Sequence, residues 1–274
     1  MAKTVLLTGA TGAIGRAAAE GLARSGVNLV LLARDASRGE KLAQELRGTS
    51  GSSSIEVLAG DLSDRASLKK AAADFKARHP KLDVLLNVAA IFKSSRAVDS
   101  EGIEAMFGTN HLGPFLLTSL LLEPLKAAAP SRVILVTAPS SVVPDFDDLQ
   151  GAKKFGAIGQ FGMSKAGNLL FGQALARRLS GANVSVMMVH PGLVKSNLMG
   201  EMSKVMVAIF NLFAPGPKKP GDALVKLALD PEFEKANGKF FKLTKPIALP
   251  ASITDEKLQE RLWTESAKLC GLPA

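Results

Sequence analysis

Tyrosine is absent from this 274-residue chain, although the chain carries 13 phenylalanines. No phenol is therefore available anywhere in it as an acid, a base or a nucleophile. Cysteine is nearly absent too. The lone Cys270 cannot close an internal disulfide, so nothing in the fold requires an oxidising compartment. His79, His111 and His190 lie far apart without metal-ligand spacing, and no metal site is expected. The longest apolar run, residues 205–214, is about half of the roughly 20 residues a membrane-spanning helix needs. An apolar leader with a cleavage site is missing, since Met1-Ala2-Lys3 runs directly into a strand-like segment. The expected setting is cytoplasmic. Aromatic residues make up 5% and basic residues form no run, which argues against a nucleic-acid surface.

What is present is an ordinary globular balance, 47% hydrophobic and 22% charged, with material for a sizeable core. It excludes a disordered chain, a collagen and a disulfide-stapled miniprotein. Subtracting 25 acidic from 34 basic residues leaves a net charge of +9, which favours anionic ligands such as phosphorylated cofactors or lipid head groups.

Short apolar runs alternate with helical ones. Residues 4–8 (TVLLT), 28–33 (NLVLLA), 55–59 (IEVLA), 83–87 (DVLLN), 132–137, 185–190 and 239–243 read as buried strands. Helical spacing falls on residues 14–25, 37–47, 65–78, 100–129, 159–179 and 255–269. Residues 48–54 (GTSGSSS) read as a flexible loop. The alternation predicts an α/β fold: one Rossmann-type, doubly wound parallel sheet of about seven strands in a single domain over residues 1–274.

Directly after the first strand stands Thr8-Gly9-Ala10-Thr11-Gly12-Ala13-Ile14-Gly15, opening a helix. Glycines at this junction let the backbone approach a pyrophosphate at the helix N-terminus, so Thr8, Gly9, Thr11, Gly12, Ile14 and Gly15 are candidate cofactor ligands. At the end of the second strand Arg34 precedes Asp35, with Arg16 and Arg38 as further cations. Guanidinium groups there suit a ribose 2′-phosphate, which favours NADP(H) over NAD(H). Pairing of Arg34 with Asp35 is the bland alternative. After the third strand, Asp61 with Leu62 could accept from the adenine amino group, or simply signal a helix N-cap, a role Ser63 also fits.

These residues resemble the short-chain dehydrogenase/reductase family along nearly the whole chain. Asn87-Val88-Ala89-Ala90 stands where that family has Asn-Asn-Ala-Gly, and Thr109-Asn110-His111-Leu112-Gly113-Pro114-Phe115 is similar to its Asn-His-x-Gly-x-Phe stretch. Ser164-Lys165, and His190-Pro191-Gly192-Leu193-Val194, extend the match. Leu262-Trp263 and Ser266 near the end look like the retinol-dehydrogenase-like branch. The resemblance implies that Asn87, Ala89, Lys165, Pro191, Gly192 and Val194 contact the cofactor. It also implies a catalytic Asn-Ser-Tyr-Lys set in which Lys lowers the Tyr pKa and Tyr protonates or deprotonates the reacting oxygen. Here Asn110 and Lys165 are kept, but Phe161 occupies the Tyr position and Ala138 the Ser position.

Two readings follow. In one, the protein is an oxidoreductase for a hydrophobic carbonyl or alcohol. Its proton would then come from water, from substrate or from a displaced hydroxyl at Ser140, Ser141 or Ser164, organised by Asn110 and Lys165. In the other it binds NADP(H) without redox chemistry, as a cyclase, an isomerase, a sensor or a scaffold. The Met- and Phe-rich residues 196–216 stand at the family's substrate lid and suit an apolar ligand. Lys204, Lys218 and Lys219 beside them make weak association with an anionic membrane surface conceivable. The family also implies a homo-oligomer through residues 115–125 and 165–179. Asp145, Asp147 and Asp148 read as a solvated loop, and His111 and His190 as satisfied structural rings.

Overall fold

Runs that are apolar at every position bury both of their faces, and that is how they sit in the computed structural model, which describes residues 2–195, 198, 200, 201 and 214–273. Strands β1 (Thr4–Thr8), β2 (Asn28–Ala33), β3 (Ile55–Ala59), β4 (Val84–Asn87), β5 (Ser131–Val136), β6 (Val184–His190), β7 (Phe240–Lys242) and β8 (Lys245–Ile247) form one sheet. Their order is β3-β2-β1-β4-β5-β6-β7-β8, with all neighbours parallel except β7 and β8. The order reverses between β1 and β4, so the strand C-termini open a crevice there.

One face of the sheet is covered by α1 (Ala13–Arg24), α2 (Ala36–Ser50) and α8 (Lys218–Leu229). The other carries α3 (Arg65–Arg78), α5 (Gly113–Leu120), α7 (Ala157–Arg178) and α9 (Glu256–Cys270). Side chains along β1 alternate between the two cores, Leu6 facing one and Val5 and Leu7 the other. Phe115, Leu117, Leu121, Leu169 and Phe171, on the segments expected to meet a second copy, are buried within this chain's own core.

Four departures from the sequence expectations have local causes. The stretch expected as one helix over 100–129 is broken into α4 (Ala105–Phe107), a π-helical turn (Gly108–Leu112), α5 and α6 (Leu122–Ala127). Pro114 and Pro124 lack the N–H that the carbonyls of Asn110 and Leu120 would need from position i+4, so the helix bulges at one and stops at the other. Helix α8, which contains Pro220-Gly221, has no counterpart among the helices expected from the sequence. Pro220 sits in the first turn, where no intrahelical N–H is required. Gly221 lets α8 press on α1, for a Cβ there would stand 2.5 Å from the Ala17 Cβ. The eighth strand contains Pro246 and lies at the sheet edge, where a missing donor costs nothing. Residues 48–50 extend α2 rather than join the flexible loop, and Gly51 closes that helix at φ +70°.

Candidate active site

The glycine loop is wound tightly. Gly9, at φ +72°, lies so close to the segment after β4 that a Cβ would stand 2.7 Å from the Ala89 backbone. A Cβ on Gly15 would meet the Gly9 carbonyl oxygen at 2.1 Å. The Thr8 hydroxyl accepts hydrogen bonds from the Val88 and Ala89 N–H groups, locking β1 to the end of β4. Helix α1 begins at Gly12 with no side-chain cap and no acidic residue in its first turn, so its free N–H groups and positive dipole end face the crevice. Thr11 and Gly12 are exposed at this mouth and Ile14 is half-buried.

The charges at the end of β2 are sorted by the structure. Asp35 does not pair with Arg34. Its carboxylate caps α2, accepting from Ser37 Oγ and the Arg38 N–H, which together hold it below the usual carboxylate range. Arg16 is not a free cation for a phosphate, since it is engaged by Glu20 at 3.3 Å and Glu45 at 2.6 Å. Arg34 has its side chain 74% exposed and 4.0 Å from Asp61, while the Arg38 guanidinium adds to the lowering of Asp35. Asp61 accepts from the N–H and Oγ of Ser63, and the N-cap of α3 is Asp64 rather than Asp61 or Ser63. Leu62 is buried against Gly113, where a Cβ would stand 2.6 Å from the Leu62 carbonyl oxygen.

The residues expected to do chemistry meet around the π turn. Asn110 is fully buried; its Oδ1 accepts from the Ile91 N–H at 2.8 Å, and its Nδ2 donates to the Ile91 carbonyl at 2.9 Å and to Ser164 Oγ at 3.2 Å. Ser164 in turn donates to the Phe161 carbonyl at 2.7 Å. Its proton is thereby spent, which removes Ser164 from the spare hydroxyls. The Phe161 ring meets Phe92 edge-on at 5.7 Å, and the Lys165 Nζ stands 5.2 Å from the Phe161 centroid. Lys165 is 5% exposed and has no carboxylate partner among the described residues; burial pushes its ammonium down to about 8. Its carbonyl accepts from Thr137 Oγ1, which fixes α7 to the end of β5.

Ala138 follows Thr137, half-buried, with no hydroxyl to offer. Ser141 is exposed and contributes only its carbonyl, which accepts from Ser252. Ser140 is the buried one. Its Oγ accepts from the Val142 N–H at 3.4 Å and lies 3.5 Å from where a Cβ of Gly162 would stand, one residue after Phe161. Its own proton has no acceptor among the described residues.

Two buried atoms stand unpartnered beside this crevice. Asn87 Nδ2 donates to Thr118, but its Oδ1 has no partner among the described residues, and His190 Nδ1 has none among them either. His190 is therefore not the fully satisfied ring expected from sequence; burial and then Lys242 lower its pKa. Pro191 and Gly192 are half-buried, and Val194 is buried. Of the lid expected at 196–216, Ser196, Asn197, Met199 and residues 202–213 lie outside the described residues. Glu201 is described: it pairs with Lys93 at 2.5 Å and accepts from the Ser94 N–H, beside Phe92. Asp148 shapes its loop by accepting from the N–H groups of Ala152, Lys153 and Lys154. Among the described residues no helix is long and apolar enough to cross a membrane.

Comparison with known proteins agrees with this geometry. The family model described as short chain dehydrogenase matches residues 3–206. This chain belongs to the short chain dehydrogenase family. Within it, the chain sits in the retinol-dehydrogenase-like branch: it is 37% identical over 275 residues to retinol dehydrogenase 12 of Mus musculus, covering 98% of this chain and 87% of that protein. Among solved structures, an uncharacterized protein from Mycobacterium paratuberculosis superposes with a TM-score of 0.77 at 27% identity, covering 99% of this chain and 95% of that one. A short-chain dehydrogenase from Sphingobium yanoikuyae in complex with NADPH gives 0.65 at 27% identity, covering 82% and 84%.

Proposed function

We propose that the protein is an NADP(H)-dependent oxidoreductase acting on a hydrophobic carbonyl or alcohol, with a proton path rebuilt around the missing phenol. The observation that carries this reading is Lys165, a buried ammonium without an anionic partner among the described residues, held beside Phe161 by the ties among Asn110, Ser164 and Thr137. A bare buried cation is costly unless a bound group compensates it, and nucleotide ribose hydroxyls would do so. The glycine loop, the uncapped N-terminus of α1 and the orphan Oδ1 of Asn87 fit the same cofactor. When bound, that cofactor supplies or accepts hydride.

The chain's own residues then handle the proton. Lys165 keeps a positive charge beside the reacting oxygen and steadies negative charge developing there. Ser140, a buried hydroxyl whose proton has no acceptor among the described residues, is the protein group left to supply the proton, with water as the other route. Without the phenol such an enzyme is slow, since losing a general acid costs typically about 10²–10⁴-fold. Phe92, Phe161 and the Met-rich segment 196–216 suit an apolar substrate, and the retinol dehydrogenase relatives make a long isoprenoid alcohol or aldehyde the first class to try.

A second reading is favoured by the simultaneous loss of both family hydroxyls at Phe161 and Ala138: nucleotide binding without redox turnover. One screen separates the two. NADPH consumption by the wild type against long-chain and isoprenoid aldehydes, retinaldehyde among them, is expected to be slow but saturable and weakened by Ser140→Ala. No turnover with NADPH firmly bound favours the second reading.

Cofactor choice has its own test. Arg34→Ala is expected to weaken NADPH binding by about tenfold or more while leaving NADH within about twofold, because an Arg–phosphate bond is charge-assisted. Calorimetry with both nucleotides checks it, and an unchanged affinity ratio would remove Arg34 from the ribose site. Gly15→Ala is expected to abolish nucleotide-dependent thermal stabilisation, since the new Cβ has no room against the Gly9 carbonyl. A normal NADPH-induced rise in Tm in that variant would refute the loop assignment.

A further inference from the structure

The Asn110 carbonyl poses a problem that the sequence itself creates. In an α-helix it would accept from the N–H of residue 114, and residue 114 is proline. The structure fills the place from another helix. Asn168, on α7, donates its Nδ2 to the Asn110 carbonyl at 2.8 Å. That donation fixes the amide's orientation, so Asn168 Oδ1 faces His111 Nδ1 at 3.3 Å and can only accept. The proton of the His111 ring must then sit on Nδ1. Its Nε2 is left as an acceptor, and Ser266 Oγ on α9 stands 2.8 Å from it as the donor.

Every member is shut away from water, with Asn110, His111 and Ser266 fully buried and Asn168 at 3% exposure. Burial keeps the imidazole neutral, its pKa pushed down to about 4, as the assigned tautomer requires. The ring has no freedom to turn. It stacks on Phe107 at 5.3 Å and meets Phe171 edge-on, and it lies flat against Gly167, where a Cβ would stand 2.9 Å from Nδ1. The result is a directed chain of hydrogen bonds from Ser266 O–H through His111 and Asn168 to the Asn110 carbonyl. On its other side Asn110 is gripped by Ile91 and Ser164.

We infer that Asn168, His111 and Ser266 are positioning residues that hold the Asn110 carbonyl in place from behind the active site, and that helix α9 is thereby part of the catalytic apparatus. A carbonyl oxygen carries two lone pairs. Asn168 occupies one, and we assign the other to a water serving the Lys165 side of the site. In a protein without the family phenol, the placing of that water matters more. The kinetic part of this inference rests on the oxidoreductase reading above; the structural part does not.

The test uses the full chain. Asn168→Ala is expected to lower kcat for aldehyde reduction by ~10–100-fold while the KM for NADPH changes by less than ~2-fold, the split expected of misplaced chemistry rather than lost binding. Ser266→Ala is expected to act in the same direction and Ser266→Thr, which keeps the hydroxyl, to restore the rate. Nitrogen-15 NMR of the imidazoles is expected to place His111 in the Nδ1–H tautomer. Adding NADPH should shift those signals in the wild type and no longer in Asn168→Ala. An unchanged kcat in Asn168→Ala, a change in KM alone, failure of Ser266→Thr to recover what Ser266→Ala loses, or an Nε2–H tautomer would each overturn the inference. Should neither the wild type nor Phe161→Tyr turn over any aldehyde, the oxidoreductase reading falls. The NADPH-induced His111 shift then decides this one by itself, its absence in the wild type being the refutation. Should Asn168→Ala fail to fold, the Ser266 pair carries the kinetic decision.

Discussion

Replacing Phe161 by tyrosine is expected to raise NADPH-dependent reduction of hydrophobic aldehydes by about 10²–10⁴-fold, the usual worth of a positioned general acid. The ring is already where it is needed. Its edge-on contact with Phe92 fixes its plane, the Ser164 hydrogen bond fixes the backbone that carries it, and Lys165 stands 5.2 Å from its centroid. A hydroxyl at the ring's far carbon would therefore come under the influence of a buried cation, which favours phenolate and draws the phenol pKa down from its ordinary value near 10. Ala138→Ser is expected to add to the gain more than additively, because two hydroxyls would grip one oxygen. Rates of NADPH consumption for the wild type, each single variant and the double variant check both claims. A Phe161→Tyr protein that binds NADPH normally and gains no rate would show that the redox geometry has drifted.

The second large effect concerns Lys165, a buried ammonium. Its folded pKa is about 8 against an ordinary value of 10.5. Between those values the unfolded chain binds more protons than the folded one, so this group's contribution to stability rises with pH across that window. Below pH 8 both states are protonated and the full penalty of about 3 kcal/mol for burying the ammonium applies. Lys165→Met, similar in length and uncharged, is thus expected to be more stable than the wild type at pH 7. That advantage should shrink as pH rises from 8 towards 10.5. The same change is expected to weaken NADPH binding and to remove aldehyde reduction even in the Phe161→Tyr background. Urea denaturation at several pH values, with calorimetry for the nucleotide, checks the pair of expectations. A variant less stable than the wild type at pH 7 would mean that the ammonium is compensated in the folded chain.

Residue patterns carried the sheet almost to the residue. The first three strands and α3 fall on the residues expected: β1 and β3 run into Gly9 and Gly60, and α3 starts at the Asp64 cap. The errors came where a residue's meaning depends on position within an element. Proline in the first turn of α8 is harmless, proline at 114 reshapes a stretch expected as one helix, and proline at 246 sits on an edge strand. In the candidate site, Gly9, Asn110, Phe161 and Lys165 were legible from spacing and resemblance. The partnerships that assign their neighbours were not. Arg16 with Glu45, Asp35 on its helix cap and Ser164 on the Phe161 carbonyl each spend a group that had looked free.

By itself the sequence determined the doubly wound sheet, the glycine loop at its first turn and the absence of a phenol from α7. Those follow from short-range facts: apolar runs that must be buried on both faces, glycines where a Cβ cannot fit, and a residue type that is simply missing. Only the tertiary structure decided that Arg16 is engaged by Glu45 and how the Asn110 carbonyl is held. Each of these depends on hydrogen bonds between residues 54 to 155 positions apart or on long side chains finding carboxylates on other elements. No local pattern encodes them, because distance along the chain says nothing about proximity once the sheet has brought the strand ends together.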